Sequence, residues 1–132
     1  MKIKYSQVQT DKAPAAIGPY SQGVIVAADQ NLIFVSGQLP IDPETGEMVR
    51  GNIKALTKQV IDNIEAILIA SNSGLHHVVK VEVFLKDMND FAEMNEVYSE
   101  RFTSHPKPAR QAIAVSQLPK NAEIEISCIA VT

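Results

Sequence analysis

Arg110 and Glu125 are the residues whose type and position could carry chemistry in this chain. Arg110 lies within KPARQAIAV, where a buried guanidinium would need an anionic partner and could hold a carboxylate through two parallel hydrogen bonds. Glu125 lies within EIEISCIAV and could accept and return a proton. The pattern alone favours plainer interpretations: a strand-end arginine, solvated or paired with a structural carboxylate, and a solvated strand edge. Glu123 has the same alternation as Glu125, so the pattern does not choose between them.

Four further residues could line a site. Ser36 and Gly37 follow an apolar run, and a serine there could donate a hydrogen bond to a substrate, although a turn residue is the simpler interpretation. Tyr20 follows a Gly-Pro pair and could close a pocket or pack at an interface. Asn95 falls outside the apolar stripe of the second predicted helix, which favours a solvated position.

Several kinds of site are excluded by residue types and spacing. Cys128 alternates with isoleucines, which predicts a buried, inert thiol. As the one cysteine, it cannot form an internal disulfide, which favours a reducing, cytoplasmic setting. The three histidines lack metal-ligand spacing, so no metal site is expected. No phosphate-binding glycine loop or GxSxG motif is present, so neither a nucleotide cofactor nor a serine-hydrolase triad is supported.

Composition predicts one globular domain over residues 1–132. The chain has 132 residues, 45% hydrophobic and 20% charged, with a net charge of −3, which is typical of a single folded domain. Because the net charge is negative and the basic residues are dispersed, we do not expect a nucleic-acid partner. The N-terminal residues lack the apolar region of a signal peptide, and no run approaches the roughly 18 apolar residues of a membrane span, so no membrane partner is expected.

Hydrophobic periodicity places the helices and strands that must position these residues. A helix is predicted from an N-cap at Asn52 to a stop at Gly74, and a second one from residue 89 or 90 until Pro106 and Pro108. Strands are predicted at residues 2–5, 24–27, 32–35, 79–85, 110–115 and 124–131, with 24–27 and 32–35 paired as a hairpin.

This order predicts an α+β two-layer sandwich, with both helices on one face of a mixed sheet. The runs 24–27 and 32–35 are apolar on both faces. Because two helices cover only one face, the other face needs a second cover. Another copy of the chain is the simplest cover, so we expect a symmetric homo-oligomer.

The chain also resembles the Rid family, also called YjgF or L-PSP. The segments that carry the resemblance run in order from about residue 13 to residue 131: APAAIGPYSQG, FVSGQLP, DPETGEMV, VVKVEVFLKDMNDFAEMNEVYSERF and KPARQAIAVSQLPKNAEIEISCIAV. The resemblance implies a chorismate-mutase-like fold and a homotrimer with sites in clefts between subunits. It implies hydrolysis of reactive enamines and imines, such as 2-aminoacrylate and 2-iminobutanoate, to 2-keto acids and ammonia, without a cofactor.

The resemblance also implies roles for individual residues. Arg110 matches the arginine that grips the substrate carboxylate, and Glu125, rather than Glu123, matches the carboxylate that positions or activates water. Residues that match the lining of the cleft are Tyr20, Ser36 and Asn95, with backbone hydrogen bonds expected near Gly37 and Ala112. The chain departs from the family at Gln111 and Ala112, where a small residue and often a cysteine are common. Ala112 keeps the backbone donor, whereas the larger Gln111 could alter the wall of the cleft or the packing of the trimer.

Two alternatives stay open at this point. A non-catalytic module could use the same arginine to bind a 2-keto acid or a related carboxylate without turnover. An RNA-directed activity, as an endoribonuclease or translation inhibitor, has little support in the residues. The deaminase hypothesis requires that Arg110 and Glu125 reach one cleft.

Overall fold

The computed structural model describes residues 4–132. This part of the chain forms six strands and two α-helices. In chain order they are β1 (Tyr5–Val8), β2 (Gly23–Val26), β3 (Leu32–Gln38), α1 (Ile53–Ala70), β4 (Val78–Leu85), α2 (Phe91–Arg101), β5 (Ala109–Ala114) and β6 (Ile124–Val131).

The main sheet has four strands in the order β3-β6-β4-β5. Strand β6 is antiparallel to both of its neighbours, whereas β4 and β5 are parallel. A parallel pair needs a crossover connection, and α2 lies in that connection. Both helices pack on one face of this mixed sheet, so the predicted α+β class is confirmed.

The first helix forms because one apolar stripe fits its period. Seven of its residues are buried against the sheet, and the side chain of Asn52 accepts a hydrogen bond from the backbone N–H of Ala55 at 3.0 Å, as an N-cap does. The predicted stop at Gly74 is wrong. The helix ends at Ala70, and Asn72, with a φ of 58°, takes the left-handed conformation that ends it.

The predicted hairpin between β2 and β3 is also wrong. Strand β2 pairs with β1 in a separate two-stranded sheet, and β3 pairs with β6. The turn signals at residues 29–31 do separate the two strands. The backbone N–H of Ala27 donates to Lys4, however, and Asn31 accepts from Thr132, so each side of the turn has a different partner. The strand predicted at residues 2–5 begins only at Tyr5, and residues 1–3 lie outside the described part.

The later strands agree with the predictions, but α2 ends earlier than predicted, at Arg101, because the backbone of Phe102 has left the helical conformation with a ψ of 80°. Helix α2 begins at Phe91, and β6 spans the predicted residues. Cys128 is buried on the helix side of β6, and burial raises the pKa of its thiol to about 12. Its thiolate, the nucleophilic form, is therefore suppressed at neutral pH.

One face of the main sheet has no layer over it within residues 4–132. Phe34 and Leu32 project from β3 away from the helices and are 71% and 50% exposed, whereas Val35 on the other face is 5% exposed. Strand β6 shows the same division, with Ile126 buried and Glu125 half-buried. The expected two-sided apolar pattern is therefore present in the structure. Within residues 4–132, no helix is long and apolar enough to cross a bilayer.

His77 makes the stability of this fold sensitive to acid. Burial lowers the pKa of His77 from its ordinary value of 6.5, and His76 and Lys4 lower it further. Its Nδ1 is buried without a hydrogen-bond partner in the described structure. Because the native pKa lies below the unfolded value, the unfolded chain takes up the proton first as the pH falls below 6.5. The stability that neutral His77 contributes is therefore fully present above that pH and is lost gradually as the pH falls through the lower native pKa.

Thermal unfolding at several pH values checks this expectation. The difference in Tm between pH 7.5 and pH 5.5 should be larger in the wild type than in His77→Gln, by a few degrees. Equal pH dependence in the two proteins would show that His77 does not contribute.

Candidate active site

Strand β5 places Arg110 on the helix side of the sheet, at its outer edge. Arg110 is paired in register with Val81, which is fully buried beneath the helices, so both side chains point to that side. Gln111 is paired with Glu82 and points to the opposite face, as the alternation predicts. From β5 the guanidinium reaches α2, where its Nη1 donates to Oδ1 of Asn95 at 2.6 Å.

A cavity of about 290 Å³ opens beside the guanidinium. Besides Arg110, three of the residues that the sequence singled out line it, namely Tyr20, Asn95 and Ala112. Three residues that were not predicted for the site complete it. The full lining is Ile17, Gly18, Tyr20, Phe91, Asn95, Arg110 and Ala112.

The charge of Arg110 has no acidic partner within residues 4–132. Its one side-chain hydrogen bond there goes to the neutral amide of Asn95, and the described ion pairs involve other residues. Burial lowers the pKa of the guanidinium, and the phenol groups of Tyr98 and Tyr20 oppose this. An arginine always carries its charge in proteins. A half-buried, unneutralised guanidinium at a cavity is therefore suited to bind a small carboxylate.

Three aromatic rings surround this cation. The Cζ of Arg110 lies 4.6 Å from the ring centroid of Tyr98, 5.6 Å from that of Tyr20 and 5.7 Å from that of Phe91. Each is within range of a cation–π contact. The rings attract the charge but accept no ordinary hydrogen bond from it.

The solvated position that the pattern favours for Asn95 is wrong. Its side chain is half-buried and accepts the hydrogen bond from Arg110. The spacing of Phe91, Asn95 and Tyr98 is i, i+4, i+7, which puts all three on one side of α2. The prediction separated Asn95 from Phe91 and Tyr98 because it considered only the apolar residues of α2. The spacing of the three residues indicates that they lie on the same side of the helix.

The loop that carries Tyr20 is held in place by its neighbours. The side-chain amide of Gln22 donates to backbone carbonyls of Thr10, Ala13 and Pro14. Ser21 is buried, and its N–H donates to the carbonyl of Pro108 at 3.0 Å, just before β5. These contacts bring Tyr20 to the same cavity as Arg110.

Glu125 lies on the other face of the sheet. It is paired in register with Phe84, on the side away from the helices. Ser36 and Gly37 lie in the adjacent strand, where the pairing of β3 with β6 is shifted by a bulge between Val35 and Gln38. A Cβ atom on Gly37 would lie 2.8 Å from Cδ of Glu125, so the carboxylate rests directly on the glycine backbone.

The candidate residues therefore form two groups within one chain. Arg110 lies with Tyr20, Asn95 and Ala112 at the edge strand β5, and Glu125 lies with Ser36 and Gly37 on the open face. Two strand spacings and three residues along the strand separate Arg110 from Glu125, which places their Cα atoms roughly 14 Å apart. Their side chains also point to opposite faces. One chain by itself does not bring them into one cleft.

The close approach at Gly37 predicts the effect of a small change. In Gly37→Ala, the added methyl group would occupy the position of the Glu125 carboxylate, which must swing away. If this carboxylate takes part in the reaction, we expect kcat to fall about tenfold or more. The free energy of unfolding should change by only about 1 kcal/mol, since the displaced group is the end of a flexible side chain.

Gly23→Ala is the matched control for this change. Its added methyl group would be 3.4 Å from Cβ of Val8, an ordinary contact, and its nearest neighbours would all be atoms of Val8 and not of a candidate residue. Full activity in Gly37→Ala would show that the position of the carboxylate does not matter.

The sequence and the structure are similar to those of known proteins. The profile of the family described as Endoribonuclease L-PSP matches residues 10–132. A RutC family protein of Pyrococcus abyssi is 60% identical over 121 residues, which cover 92% of each chain. The 2-iminobutanoate/2-iminopropanoate deaminase of Escherichia coli is 46% identical over 126 residues, which cover 94% of this chain and 95% of that one. The crystal structure of a Thermotoga maritima protein, 55% identical, superposes with a TM-score of 0.75 and covers 100% of this chain and 98% of the other.

Proposed function

The chain belongs to the L-PSP family, also called the Rid or YjgF family, and from this we propose that it is an enamine/imine deaminase. The substrates are reactive 2-imino acids and their enamine tautomers, such as 2-aminoacrylate and 2-iminobutanoate. The products are 2-keto acids and ammonia. The observation that carries the proposal is the unneutralised Arg110 guanidinium at a small cavity, in a chain 46% identical to a deaminase of this substrate class.

Arg110 binds the carboxylate of the substrate. Its hydrogen bond to Asn95 uses one of five N–H donors and leaves an edge that can hold both carboxylate oxygens. The cavity of about 290 Å³ has apolar surface from Ile17, Phe91 and Ala112. This lining suits the short apolar side chain of a small 2-imino acid.

Glu125 acts on water. The imine carbon is electrophilic once its nitrogen is protonated, so the protein has only to orient the substrate, deliver water and move protons. Oxygen of the water bonds to this carbon while Glu125 accepts a proton from it. Glu125 then returns this proton to the nitrogen, and the C–N bond breaks so that the nitrogen leaves as ammonia. At the same time the new hydroxyl group gives its remaining proton to the freed carboxylate, and the carbon becomes the carbonyl of the keto acid.

Two copies of the chain build the complete site. Arg110 and Glu125 face opposite sides of the sheet, and the face that carries Glu125 also carries the exposed Phe34 and Leu32. An open apolar face of this kind is a surface that a second subunit can cover. In a homotrimer, the β5 edge of one subunit would meet the open face of the next, so each of three clefts receives one Arg110 and one Glu125.

A coupled assay tests the proposed activity. A serine or threonine dehydratase generates 2-aminoacrylate in the cuvette, and pyruvate formation is followed with and without this protein. A rate clearly above the uncatalysed one is expected. Tight binding of 2-oxobutanoate with no acceleration would contradict the deaminase proposal and leave a carboxylate-binding module.

We do not extend the proposal to RNA cleavage, although the family carries the word endoribonuclease. The cavity at Arg110 has no histidine and one cationic side chain, and the whole chain has a net charge of −3. A nucleic-acid site needs several phosphate-binding cations on one surface.

A further inference from the structure

Tyr98 is the aromatic residue nearest to Arg110, yet the proposed reaction gives it no part. The Cζ of Arg110 is 4.6 Å from the ring centroid of Tyr98, about 1 Å nearer than it is to Tyr20 or Phe91. Tyr20 and Phe91 line the cavity and can touch a bound molecule, whereas Tyr98 does not line it and is fully buried. Any effect of Tyr98 on the reaction must therefore pass through Arg110.

The ring of Tyr98, and not its hydroxyl group, makes this contact useful. The hydroxyl oxygen is buried without a hydrogen-bond partner in the described structure. The ring stacks on Phe102, with centroids 4.4 Å apart and planes inclined by 22°. Because Tyr98 is itself fully buried, its ring is a rigid surface against which the guanidinium can rest.

An aromatic face and a carboxylate would hold the guanidinium in different ways. A structural carboxylate would occupy two of the five N–H donors and neutralise the positive charge that attracts the substrate carboxylate. An aromatic face attracts the cation while leaving its N–H donors unused. Within residues 4–132, Arg110 donates one side-chain hydrogen bond, to Asn95, and makes no ion pair. Its remaining N–H donors are therefore available to a molecule in the cavity.

We propose that Tyr98 is a positioning residue: its buried ring holds the Arg110 guanidinium by a cation–π contact, with the free N–H edge toward the cavity. This inference rests on the proposed function, since it concerns the grip on the substrate carboxylate. Tyr98 itself touches neither substrate nor water.

Substitutions at Tyr98 separate the ring from the hydroxyl group. Tyr98→Phe keeps the ring, so KM should stay within about twofold of the wild-type value. Tyr98→Leu removes the aromatic face, and KM for the imine and the Kd of 2-oxobutanoate should both rise about tenfold. Because the grip on the carboxylate acts in the ground state and the transition state alike, kcat should change much less than KM.

Phe102→Leu is the matched control. It removes a buried ring from the same stack but takes away no contact with Arg110. Its KM should remain at the wild-type value even if its Tm falls. A rise in KM equal to that of Tyr98→Leu would show that general packing is responsible and would overturn the inference.

Two measurements decide the question even if Tyr98→Leu does not fold. Progressively fluorinated phenylalanines at position 98 keep the ring but weaken its negative face, so KM should rise stepwise with fluorination. In NMR spectra of the wild type, the Nε–H proton of Arg110 should be shifted upfield by the ring current. Constant KM across the series, or an unshifted resonance, would refute the role of Tyr98. An inactive wild-type protein would instead refute the proposed function.

Discussion

Arg110→Ala is expected to lower kcat/KM for imine hydrolysis roughly 10²- to 10³-fold, about 3–4 kcal/mol of transition-state stabilisation. The variant loses the single cation that lines the cavity, and no other described side chain there can pair with the substrate carboxylate. Arg110→Lys keeps the charge but not the two-pronged geometry, so it should recover only part of the loss. Steady-state kinetics in the coupled pyruvate assay give both values.

The fold should survive this change. Arg110 makes one side-chain hydrogen bond in the described structure, and its removal leaves only the neutral amide of Asn95 without that partner. Arg101→Ala is the matched control, because Arg101 also lies on the helix side but is paired with Asp62 and Glu65. It should lose some stability and keep its activity. Wild-type activity in Arg110→Ala would show that Arg110 does not bind the substrate.

Glu125→Gln is expected to lower kcat about 10²-fold or more and to leave KM nearly unchanged. Glutamine has the shape of glutamate and can still hydrogen-bond to water, but it cannot accept the proton. The side chain rests on Gly37, and glutamine fits the same space. The defect should therefore lie in the chemical step and not in binding.

Glu123→Gln is the control that the sequence itself suggests, since the alternation did not separate the two glutamates. Glu123 is exposed and lies before β6 begins. Its replacement should leave kcat within about twofold of the wild-type value. A large defect in Glu123→Gln, with an active Glu125→Gln, would reverse the assignment.

Periodicity predicted the elements that bury a single face, because the spacing of their own apolar residues shows which face that is. The stripe of α1 and the alternation of β6 each reflect one buried face, and both elements formed as expected. The hairpin prediction failed because turn residues mark where a chain bends and not which strands then pair. Strand β2 pairs with β1, and β3 pairs with β6. These pairings depend on contacts between distant parts of the chain, which local sequence patterns do not encode.

The geometry of the candidate site also depends on pairings that local sequence patterns do not encode. Residue type singled out Arg110 and Glu125, but their opposite orientations follow only from the register of β5 and β6 across β4. The contact of Asn95 with Arg110 joins residues 15 apart in sequence. Tyr98 is fully buried. Its position next to Arg110 depends on how α2 packs against the edge strand.

If two copies of the chain build one deaminase site, two inactive variants should restore activity when their subunits are mixed. Arg110→Ala and Glu125→Gln subunits are unfolded together, refolded at equal ratio and assayed for pyruvate formation from 2-aminoacrylate. A cleft that takes Arg110 from one subunit and Glu125 from the next is intact at about one position in four. Recovery of about a quarter of the wild-type activity is therefore expected. No recovery, in assemblies shown to contain both variants, would show that the site does not combine residues of two subunits.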